Sequence, residues 1–582
     1  MSLTHAKLKM RRLLDNMNYK EILKKRVPII EWLPRYTVLS FFRDLLAGFT
    51  VSLTAIPQSI ALAGVAGLPP QYGLYSCVVA GAAYAVFGTC KDLNVGPTSI
   101  LALMTEPYSK KFGPAVAPLL SFLGGLIIFG LGVFNLGFVI EFFSFPIVSG
   151  FTCAAALEIG SIQVNNFFGI SSKGDDFLEA WKAFIKDAGK IKLWDTVLGA
   201  TSLLALILLR ELKRFGSLRY RSDWSRTRNI VGITLFLLSL ARNAIVIIAG
   251  VVLAYCLRDQ QPFRVIGEVQ SGFPSFKPPD FNTVYNGTYY SFNDMATGIG
   301  TSLLFIPLIA ILEAVSIAKT FVHGKSLDAT QEILALGITN VLSSFVSSMP
   351  VTSGFTKSAI NNVSGVKTPF GGVIVTVMAI LAIAFLTPTF FYVPKATLAA
   401  VIICAMIYLF EYESFAIIWK NKKLDMIPFL VTLICCLTIS LDYGILIGIG
   451  VNLLFILYPS ARPKVNIVRT QIVKEREICV VKPMENLFFP AAEHFRDRIL
   501  ECKGHDIVVV VDGEYLRTID VTVARSLVTL AHEMSERGDA ITFWNFKPSV
   551  AAVCLGLDAT LDGCFKTAVL EDIIQDSRLK VI

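Results

Sequence analysis

Long apolar segments alternate with short polar connections from about Phe41 to Tyr458. A helix needs about 20 apolar residues to cross the hydrocarbon core of a bilayer. By that criterion the pattern predicts full or tilted spans near residues 41–64, 72–89, 115–134, 138–160, 194–213, 240–258, 295–319, 327–348, 369–391, 396–413, 424–441 and 442–458. The expected fold class is therefore a multi-span α-helical membrane protein.

Two further segments, Val95–Thr105 and Thr352–Asn361, are too short and too polar to cross alone. Each follows the second long span of its half of the apolar block. Such paired short segments are typical of internal repeats with discontinuous helices. Seven elements in each half, about residues 41–258 and 293–458, predict a 7+7 inverted repeat, because an odd repeat unit reverses the membrane orientation of the second half.

The second short segment carries a charge at membrane depth. Lys357 lies among small and hydroxylated residues between two apolar blocks, where a cation is costly unless it faces a cavity or an anion. The nearby Pro350 and Gly354 predict a helix that begins inside the bilayer and offers free N–H groups. A fixed positive charge beside a helix N-terminus is suited to hold an anion.

Composition supports the membrane assignment. The chain is 54% hydrophobic with a mean hydropathy of +0.61, and 17% of its residues are charged, against about 25% in a soluble domain. The formal net charge is +9, and many basic residues fall in two clusters beside predicted spans. The clusters are Lys7, Lys9, Arg11, Arg12, Lys20, Lys24, Lys25, Arg26, Arg35 and Arg210, Lys213, Arg214, Arg219, Arg221, Arg226, Arg228. Basic loops stay cytoplasmic, so residues 1–40 are expected to form a cytoplasmic segment, and this position beside spans disfavours nucleic-acid binding.

Several classes of protein are disfavoured by missing motifs. No apolar region follows the basic N-terminus closely enough for a cleavable signal peptide. The eleven cysteines include no C-x-x-C pair, so neither a zinc site nor a disulfide framework is expected. Without a P-loop, an H-E-x-x-H motif or a nucleophile elbow, we expect no enzymatic activity, no cofactor and no metal.

The composition changes after Pro463. Strand-like runs at 478–481, 507–511 and 541–546 alternate with helical patterns at 491–502, 521–537 and 550–557, which predicts a soluble α/β domain. The expected boundaries are 41–460 for the membrane domain and 463–582 for this domain. An even number of spans would keep it cytoplasmic, like the N-terminus.

One N-glycosylation sequon lies in a polar loop. Asn286-Gly287-Thr288 falls between residues 257 and 294, and seven crossings from a cytoplasmic N-terminus would place this loop outside. Asn286 is therefore a candidate glycosylation site. A second match, Asn362-Val363-Ser364, lies within the membrane block and is discounted.

Four stretches together identify a family. They are DLLAGFTV (44–51) with IPQSIA (56–61); GLPPQYGLYS (67–76) followed by FGT (87–89) and VGPT (95–98); PVTSGFTKSAIN (350–361) with GVKTP (365–369); and the C-terminal α/β domain. The chain resembles the sulfate permease family of anion transporters, a solute-carrier group, and most closely its sodium-independent sulfate transporter subgroup. The C-terminal domain looks like a STAS (sulfate transporter and anti-sigma antagonist) domain.

The resemblance implies a core domain and a gate domain, with the anion held between two half-helices of the core. Carried over by position, Gln58, Pro97 and Thr98 line the pocket, as do Thr356 and Lys357 in the second half, while Leu62 forms a pocket wall. Relatives commonly have Arg at position 357; lysine keeps the charge but lacks the planar fork. Simpler roles remain open: Lys357 could extend to the cytoplasmic surface, the threonines could only cap helices, and Gln58 could only bridge helices.

Glu313 is a second charge within an apolar span. The resemblance implies that sulfate-transporting relatives carry an acid here, and a carboxyl group in this setting could bind a proton on one side and release it on the other. A proton travelling with divalent sulfate would lower the charge moved against an inside-negative potential. A salt bridge to Lys319 or Lys357 is the alternative role.

In the STAS-like domain, Asp520-Val521-Thr522 resembles the turn that is phosphorylated in bacterial anti-sigma antagonists. Thr522 is therefore a candidate phosphosite. The glycine that usually follows the turn is replaced by Val523-Ala524, which favours a packing or dimer-contact role instead.

These features predict a secondary active sulfate transporter with an elevator-like alternating-access mechanism, coupled to protons or exchanging sulfate for chloride, bicarbonate or oxalate. Expected partners are sulfate and related anions, protons, the bilayer and a second copy of the chain, in the plasma membrane or a lysosomal or other endomembrane. The alternatives are a chloride channel or a prestin-like electromotile protein, a STAS-led scaffold whose membrane part is an anchor, and a nucleobase permease. Glu313 argues against the chloride channel or prestin-like protein, and Lys357 argues against the STAS-led scaffold.

Overall fold

The computed structural model describes residues 24–135, 144–170, 177–212, 231–232, 234–236, 238–239, 241–260, 262–267, 272–321, 327–472, 476–502, 508–537 and 539–567. Most of the two basic clusters, and the start of the predicted span at 138, lie outside these residues. The chain divides into two compact units, Met1–Ile449 and Gly450–Ile582. Each is described by itself below.

The first unit is almost entirely helical. Its helices are α1 Ile29–Trp32, α2 Val38–Val65, α3 Pro70–Val78, α4 Ala80–Phe87, α5 Ser99–Phe112, α6 Val116–Val133, α7 Phe145–Phe167, α8 Phe177–Lys186, α9 Leu193–Glu211, α10 Arg242–Cys256, α11 Phe292–Ile299, α12 Ser302–Phe321, α13 Ala329–Ser344, α14 Phe355–Val363, α15 Phe370–Leu381, α16 Thr387–Phe390, α17 Lys395–Leu409, α18 Tyr412–Asn421, α19 Met426–Thr438 and α20 Leu441–Ala461. Helix α20 starts in the first unit and ends in the second. Four short strands complete the first unit: β1 Val95–Gly96, β2 Thr283–Tyr285, β3 Thr288–Tyr290 and β4 Thr352–Ser353.

Fewer continuous helices span the membrane than the hydropathy pattern predicts. In the described part of the chain, eight helical stretches are long and apolar enough to cross a bilayer, when α15 with α16 (Phe370–Phe390) and α17 with α18 (Lys395–Asn421) are each counted as one stretch. The predicted span 72–89 is divided between α3 and α4, and the predicted span 295–319 is broken at Gly300, which has a φ of +56°. Helices α13 and α19 have 16 and 13 residues, fewer than a full crossing needs. Hydropathy averages detect apolar content but not the breaks within it.

Glycines allow the helices of the first unit to pack at short distance. Helix α6 lies against α13, and a Cβ on Gly125 would come within 2.7 Å of the Val341 nitrogen. From the opposite side, a Cβ on Gly337 would come within 2.5 Å of the Phe129 nitrogen. Close backbone approach of this kind drives helix association in lipid, where burial of apolar surface contributes little.

The helices of the first unit form two packed groups. In one, α2, α3, α4 and α15 contact each other, and α6 contacts α12 and α13. In the other, α7 packs on α17 and α19, and α9 packs on α10 and α17. The short strands β1 and β4, with the half-helices α5 and α14, belong to the first group.

The second unit is built on one five-stranded sheet. Its strands are β5 Val465–Ile472, β6 Arg476–Pro483, β7 Val508–Asp512, β8 Ala540–Trp544 and β9 Phe565–Lys566, in the spatial order β5-β6-β7-β8-β9. Strands β6 to β9 are parallel, and β5 is antiparallel to β6. Its helices are α21 Ala492–Leu500, α22 Val521–Glu536 and α23 Pro548–Leu555.

Strand β7 shows why this sheet forms. Val509 and Val511 belong to the larger apolar core, together with Phe495 and Leu527 of the helices, while Val508 and Val510 contribute to a second cluster. Successive side chains of a strand point to opposite faces, so a continuous valine run predicts a central strand covered on both sides. Strands β5 and β9, at the two edges, are not among the strand-like runs found in the sequence.

The sequence predicts no disulfide framework, and the described residues contain one disulfide, in the second unit. Cys479 in β6 and Cys502 after α21 are joined as a disulfide, with Cα atoms 6.4 Å apart. The pairing joins residues 23 positions apart in sequence, so no local cysteine motif could reveal it.

Candidate functional site

The two halves of the first unit meet at a short strand pair. Strands β1 and β4 are antiparallel, with Val95 opposite Ser353 and Gly96 opposite Thr352. Helix α5 begins three residues after β1, and helix α14 begins two residues after β4. Because the strands run in opposite directions, the helices leave the pair in opposite directions and their N-termini face one another.

Each half-helix presents its first-turn N–H groups at this junction. Thr98 is the N-cap of α5, and Gly354 is the N-cap of α14. Neither N-cap residue supplies a side-chain cap, and the first-turn N–H groups of a helix have no intrahelical acceptor. Two helix N-termini that meet therefore concentrate N–H donors and positive dipole ends in one place.

Lys357 lies at the centre of this junction. Its side chain is 3% exposed, and its Nζ donates a hydrogen bond of 2.8 Å to the carbonyl oxygen of Pro97 in the opposite half. This placement excludes the alternative in which the amine extends to the cytoplasmic surface. An ammonium group has three donors, so two remain beyond the bond to Pro97.

Glycines make room for the amine. A Cβ on Gly96 would lie 3.0 Å from Lys357 Nζ. A Cβ on Gly354 would lie 2.8 Å from Lys357 Cε and 3.8 Å from Thr98 Cγ2. The two half-helix starts are thus close enough that any side chain at either glycine would displace the lysine.

Glu313 reaches the same junction from α12. The Thr98 hydroxyl donates a hydrogen bond of 3.1 Å to Glu313 Oε2, so Thr98 does not act as a simple helix cap. The structure describes no ion pair within 4 Å between Glu313 and either Lys319 or Lys357, although Glu313 and Lys357 interact electrostatically. An acid, a hydroxyl and an amine are therefore arranged around one point.

A second layer of polar contacts fixes the two half-helix starts. The backbone N–H of Asn94 donates a hydrogen bond of 3.1 Å to Ser358 Oγ, and the backbone carbonyl oxygen of Asn94 accepts one of 3.4 Å from the Gly354 N–H. Asn340 of α13 binds both backbone groups of Val351, each at 2.9 Å. The Asn94 contacts join the two halves and the Asn340 contacts fix the chain before β4. None of these contacts is marked by a local sequence motif.

The predicted pocket residues do not all reach this point. Pro97, Thr98, Lys357 and Glu313 are brought together by the contacts above. Leu62 is 1% exposed and shares an apolar core with Val95 and Val351. Two predicted pocket residues make no described contact at the junction. The Oε1 atom of Gln58 is buried and has no hydrogen-bond partner among the described residues, and the side chain of Thr356 is exposed in the first turn of α14.

Cys77 of α3 is an additional residue at the site. It is 4% exposed, it hydrogen-bonds Ser59 of α2, and it interacts electrostatically with Lys357. A Cβ on Gly96 would lie 4.0 Å from its sulfur. Cys77 could not be singled out from the sequence, because no spacing relative to other cysteines marks it.

The two candidate modification sites are both exposed. Asn286 occupies the turn between β2 and β3. Thr522 is the second residue of α22, whose N-cap Asp520 accepts a hydrogen bond of 2.9 Å from the Val523 N–H. A phosphate at that position would lie beside the unpaired N–H groups of a helix start.

Comparison with known proteins gives the family. The sequence profile of the sulfate permease family matches residues 41–432, and that of the STAS domain matches residues 469–567. The sodium-independent sulfate anion transporter of Bos taurus is 36% identical over 561 residues, which cover 95% of this chain and 91% of the relative. The chloroplastic sulfate transporter 4.1 of Arabidopsis thaliana is 31% identical over 79% of this chain and 64% of its own length.

Solved structures agree in fold. The murine solute carrier 26 family member A9 anion transporter in the inward-facing state superposes with a TM-score of 0.82, at 18% identity, over 96% of this chain and 95% of that one. The transmembrane domain of the cyanobacterial bicarbonate transporter BicA gives a TM-score of 0.56 at 17% identity over 72% of this chain. These matches confirm the predicted fold class, a multi-span helical membrane domain followed by a STAS domain. The chain belongs to the sulfate permease family of anion transporters.

Proposed function

We propose that this protein is a secondary active transporter that moves sulfate across a membrane by elevator-like alternating access. The observation that carries the proposal is the position of Lys357: a buried amine between two opposed half-helix starts, beside Thr98 and Glu313. Sulfate is the favoured substrate because the bovine and plant relatives with substantial identity are named for sulfate. The group of helices that carries this site would move against the group formed by α7, α9, α10, α17 and α19.

The site supplies donors suited to a tetrahedral oxyanion. Lys357 offers two further N–H donors, and the first turns of α5 and α14 offer backbone N–H groups. A charge-assisted hydrogen bond to a buried oxyanion is shorter and stronger than a neutral one, so Lys357 should contribute most of the affinity.

Glu313 would couple sulfate binding to a proton through Thr98. While Glu313 is ionised, Thr98 Oγ1 must donate its only proton to the carboxylate. Once Glu313 is protonated, it can donate instead, and the Thr98 hydroxyl is free to donate to sulfate. Protonation also removes a negative charge next to a dianion. Both effects make the proton and sulfate bind better together, and linkage makes that preference reciprocal.

The test is radiolabelled sulfate uptake into proteoliposomes, with pH and chloride gradients imposed separately. Lys357→Ala should lower uptake by about thirtyfold or more, because loss of one partner of a buried charged contact costs about 2–5 kcal/mol. Lys319→Ala is the matched control, because Lys319 is an exposed lysine at the end of α12. Equal uptake by wild type and Lys357→Ala, at equal reconstitution, would contradict the proposed site. Uptake that responds to a chloride gradient but not to a pH gradient would favour exchange over proton coupling.

A further inference from the structure

Two arginines meet at one end of the second helical group. Arg210 lies in the last turn of α9, and Arg242 is the first residue of α10. Tyr408 is in the last turn of α17, and these three helices contact one another. Two helices end and one begins at this place, so all three side chains lie at the same face of the membrane domain.

The guanidinium groups are packed but incompletely paired. The Arg210 guanidinium carbon lies 3.0 Å from the centre of the Tyr408 ring. Arg242 Nη1 donates a hydrogen bond of 3.1 Å to the backbone carbonyl oxygen of Ser239. The Ser239 hydroxyl donates a hydrogen bond of 3.3 Å to the backbone carbonyl oxygen of Arg210. Arg210 Nη1 and Arg242 Nε are buried and have no hydrogen-bond partner among the described residues.

No carboxylate in the described part of the chain faces Arg242. The groups that interact electrostatically with it are Arg210, Cys404 and Tyr408. Cys404 is buried and interacts electrostatically with both arginines. Two adjacent, half-buried cations repel each other, and their buried N–H donors without acceptors are costly. Among the described residues no anion meets these donors, so they are available to an anion from outside the chain.

The chemistry of the two side chains favours a phosphate group. Guanidinium groups bind phosphate oxygens through two parallel N–H···O bonds, and a tetrahedral phosphate can be shared by two such groups. The intervening sequence adds charge of the same sign: residues 211–241 contain six basic and two acidic residues. Tyr408 is 44% exposed, as expected of an aromatic ring at the membrane–water interface.

We propose that Arg210 and Arg242 form a binding site for a phosphate group, carried by a membrane lipid headgroup or by a soluble phosphate. The bound phosphate would bridge the ends of α9 and α10 beside α17. It would thereby stabilise the contact between three helices of the group against which the transport site is proposed to move. The site is separate from the Lys357 junction and does not depend on the identity of the transported anion.

The test uses the full-length chain purified in detergent without sulfate or phosphate. Native mass spectrometry measures binding of short-chain phosphatidic acid, with short-chain phosphatidylcholine as the neutral-headgroup control. The melting temperature is measured with the same lipids and with inorganic phosphate. The wild type should bind phosphatidic acid at least about tenfold more tightly than phosphatidylcholine and should melt at a higher temperature when phosphatidic acid is bound.

The double variant carries both Arg210→Gln and Arg242→Gln. The single variant Arg258→Gln is the matched control. Arg258 follows the opposite end of α10 and lies over the ring of Tyr255 at 5.2 Å, so it is an arginine with an aromatic partner outside the proposed site. The double variant should lose the preference for phosphatidic acid, and Arg258→Gln should keep it. Arg210→Lys with Arg242→Lys keeps the charge without the bidentate geometry and carries the test if the glutamine variant does not fold.

Each outcome decides the proposal. A rise in melting temperature with inorganic phosphate, retained in Lys357→Ala and lost in the double arginine variant, identifies a soluble phosphate as a ligand. A response to phosphatidic acid alone, lost in the same variant, identifies the lipid headgroup. Equal binding of both lipids by the wild type together with no response to phosphate, or phosphate-ligand binding unchanged in the double variant, would overturn the proposal.

Discussion

Lys357 is held in place by small neighbours. Its Nζ is anchored on the Pro97 oxygen, and Gly96 and Gly354 leave the space that its amine and Cε occupy. Additional contacts would restrict the amine further, but a transport site must release its ligand. At the proposed site, an amine with one hydrogen bond among the described residues and two further donors would satisfy both needs, since it would be positioned before the anion arrives and could exchange the anion for water.

Gly96→Ala should impair sulfate binding without unfolding the protein. The added methyl group would lie 3.0 Å from Lys357 Nζ and push the amine from its place. A misplaced binding group at a transport site can cost about 10²-fold in rate, so we expect KM for sulfate uptake to rise by about tenfold or more. Gly64→Ala in α2 is the control, because nothing lies within 4 Å of its Cβ position. A normal KM in Gly96→Ala would show that the amine does not set affinity.

Glu313→Gln should abolish the pH dependence of uptake. Wild-type uptake is expected to rise as the external pH falls, because protonated Glu313 frees the Thr98 hydroxyl and no longer repels sulfate. Glutamine is neutral at every pH and can donate to Thr98, so the variant should transport at a rate independent of pH. Initial rates across a series of external pH values, with the internal pH held constant, measure the effect. A flat wild-type profile that matches that of Glu313→Gln would exclude coupling through this residue.

At the scale of elements, the sequence predicts the half-helices well and the spans less well. Val95–Thr105 and Thr352–Asn361 stand out because a polar stretch with proline or glycine nearby interrupts the apolar pattern that a continuous span requires. The break at Gly300 and the division at Val79 are hidden, since apolar residues continue on both sides. The edge strand β5 is hidden as well: although it pairs with the next strand β6 as a hairpin, polar and charged residues interrupt its apolar positions.

In the candidate site, too, some residues are predictable from the sequence and others depend on tertiary packing. Pro97, Thr98 and Lys357 could be located from their motifs, and the resemblance to the family indicates their roles. The Thr98–Glu313 bond and the neighbourhood of Cys77 depend on how α12 and α3 pack, which no local pattern encodes. Thr356, next to Lys357 in sequence, points elsewhere because adjacent residues on a helix are about 100° apart.

The contact of α6 with α13 should be sensitive to a single methyl group. Gly125→Ala would place a Cβ within 2.7 Å of the Val341 nitrogen, and overpacking of this kind costs about 1–3 kcal/mol. Gly130→Ala, on the same helix, has nothing within 4 Å of its Cβ position and should be neutral or stabilising. Melting temperatures in detergent distinguish the two variants. Equal melting temperatures would mean that the helices separate at no cost.

At the scale of the whole molecule, the distribution of charge predicts the orientation in the membrane. Basic clusters before α1 and after α9 predict that both lie on the cytoplasmic side. The hairpin of β2 and β3 follows α10 and would then lie outside. This assignment also decides which face of the membrane the paired arginines occupy, because they lie at the end of α10 that is remote from the hairpin.

Asn286 provides the test of orientation. Asn286 and Gly287 have φ values of +50° and +79°, and they form the two-residue turn between Tyr285 and Thr288. The asparagine is exposed at the tip, so a glycosyltransferase could reach it if the hairpin entered the secretory lumen. Expressed in mammalian cells, the protein should lose apparent mass on treatment with peptide-N-glycosidase, and Asn286→Gln should migrate like the treated wild type.

The second sequon serves as the internal control. Asn362 lies within α14, and its side chain donates a hydrogen bond of 3.0 Å to Asp92 Oδ1, so it should remain unmodified and Asn362→Gln should leave the glycan in place. Asn286→Cys then checks the side of the membrane independently, through labelling of intact cells with an impermeant maleimide. An unglycosylated wild type whose Asn286→Cys variant is labelled only after permeabilisation would invert the orientation. It would also place the arginine pair on the outer leaflet, where anionic lipids are scarce, and a soluble phosphate would then be the ligand to expect there.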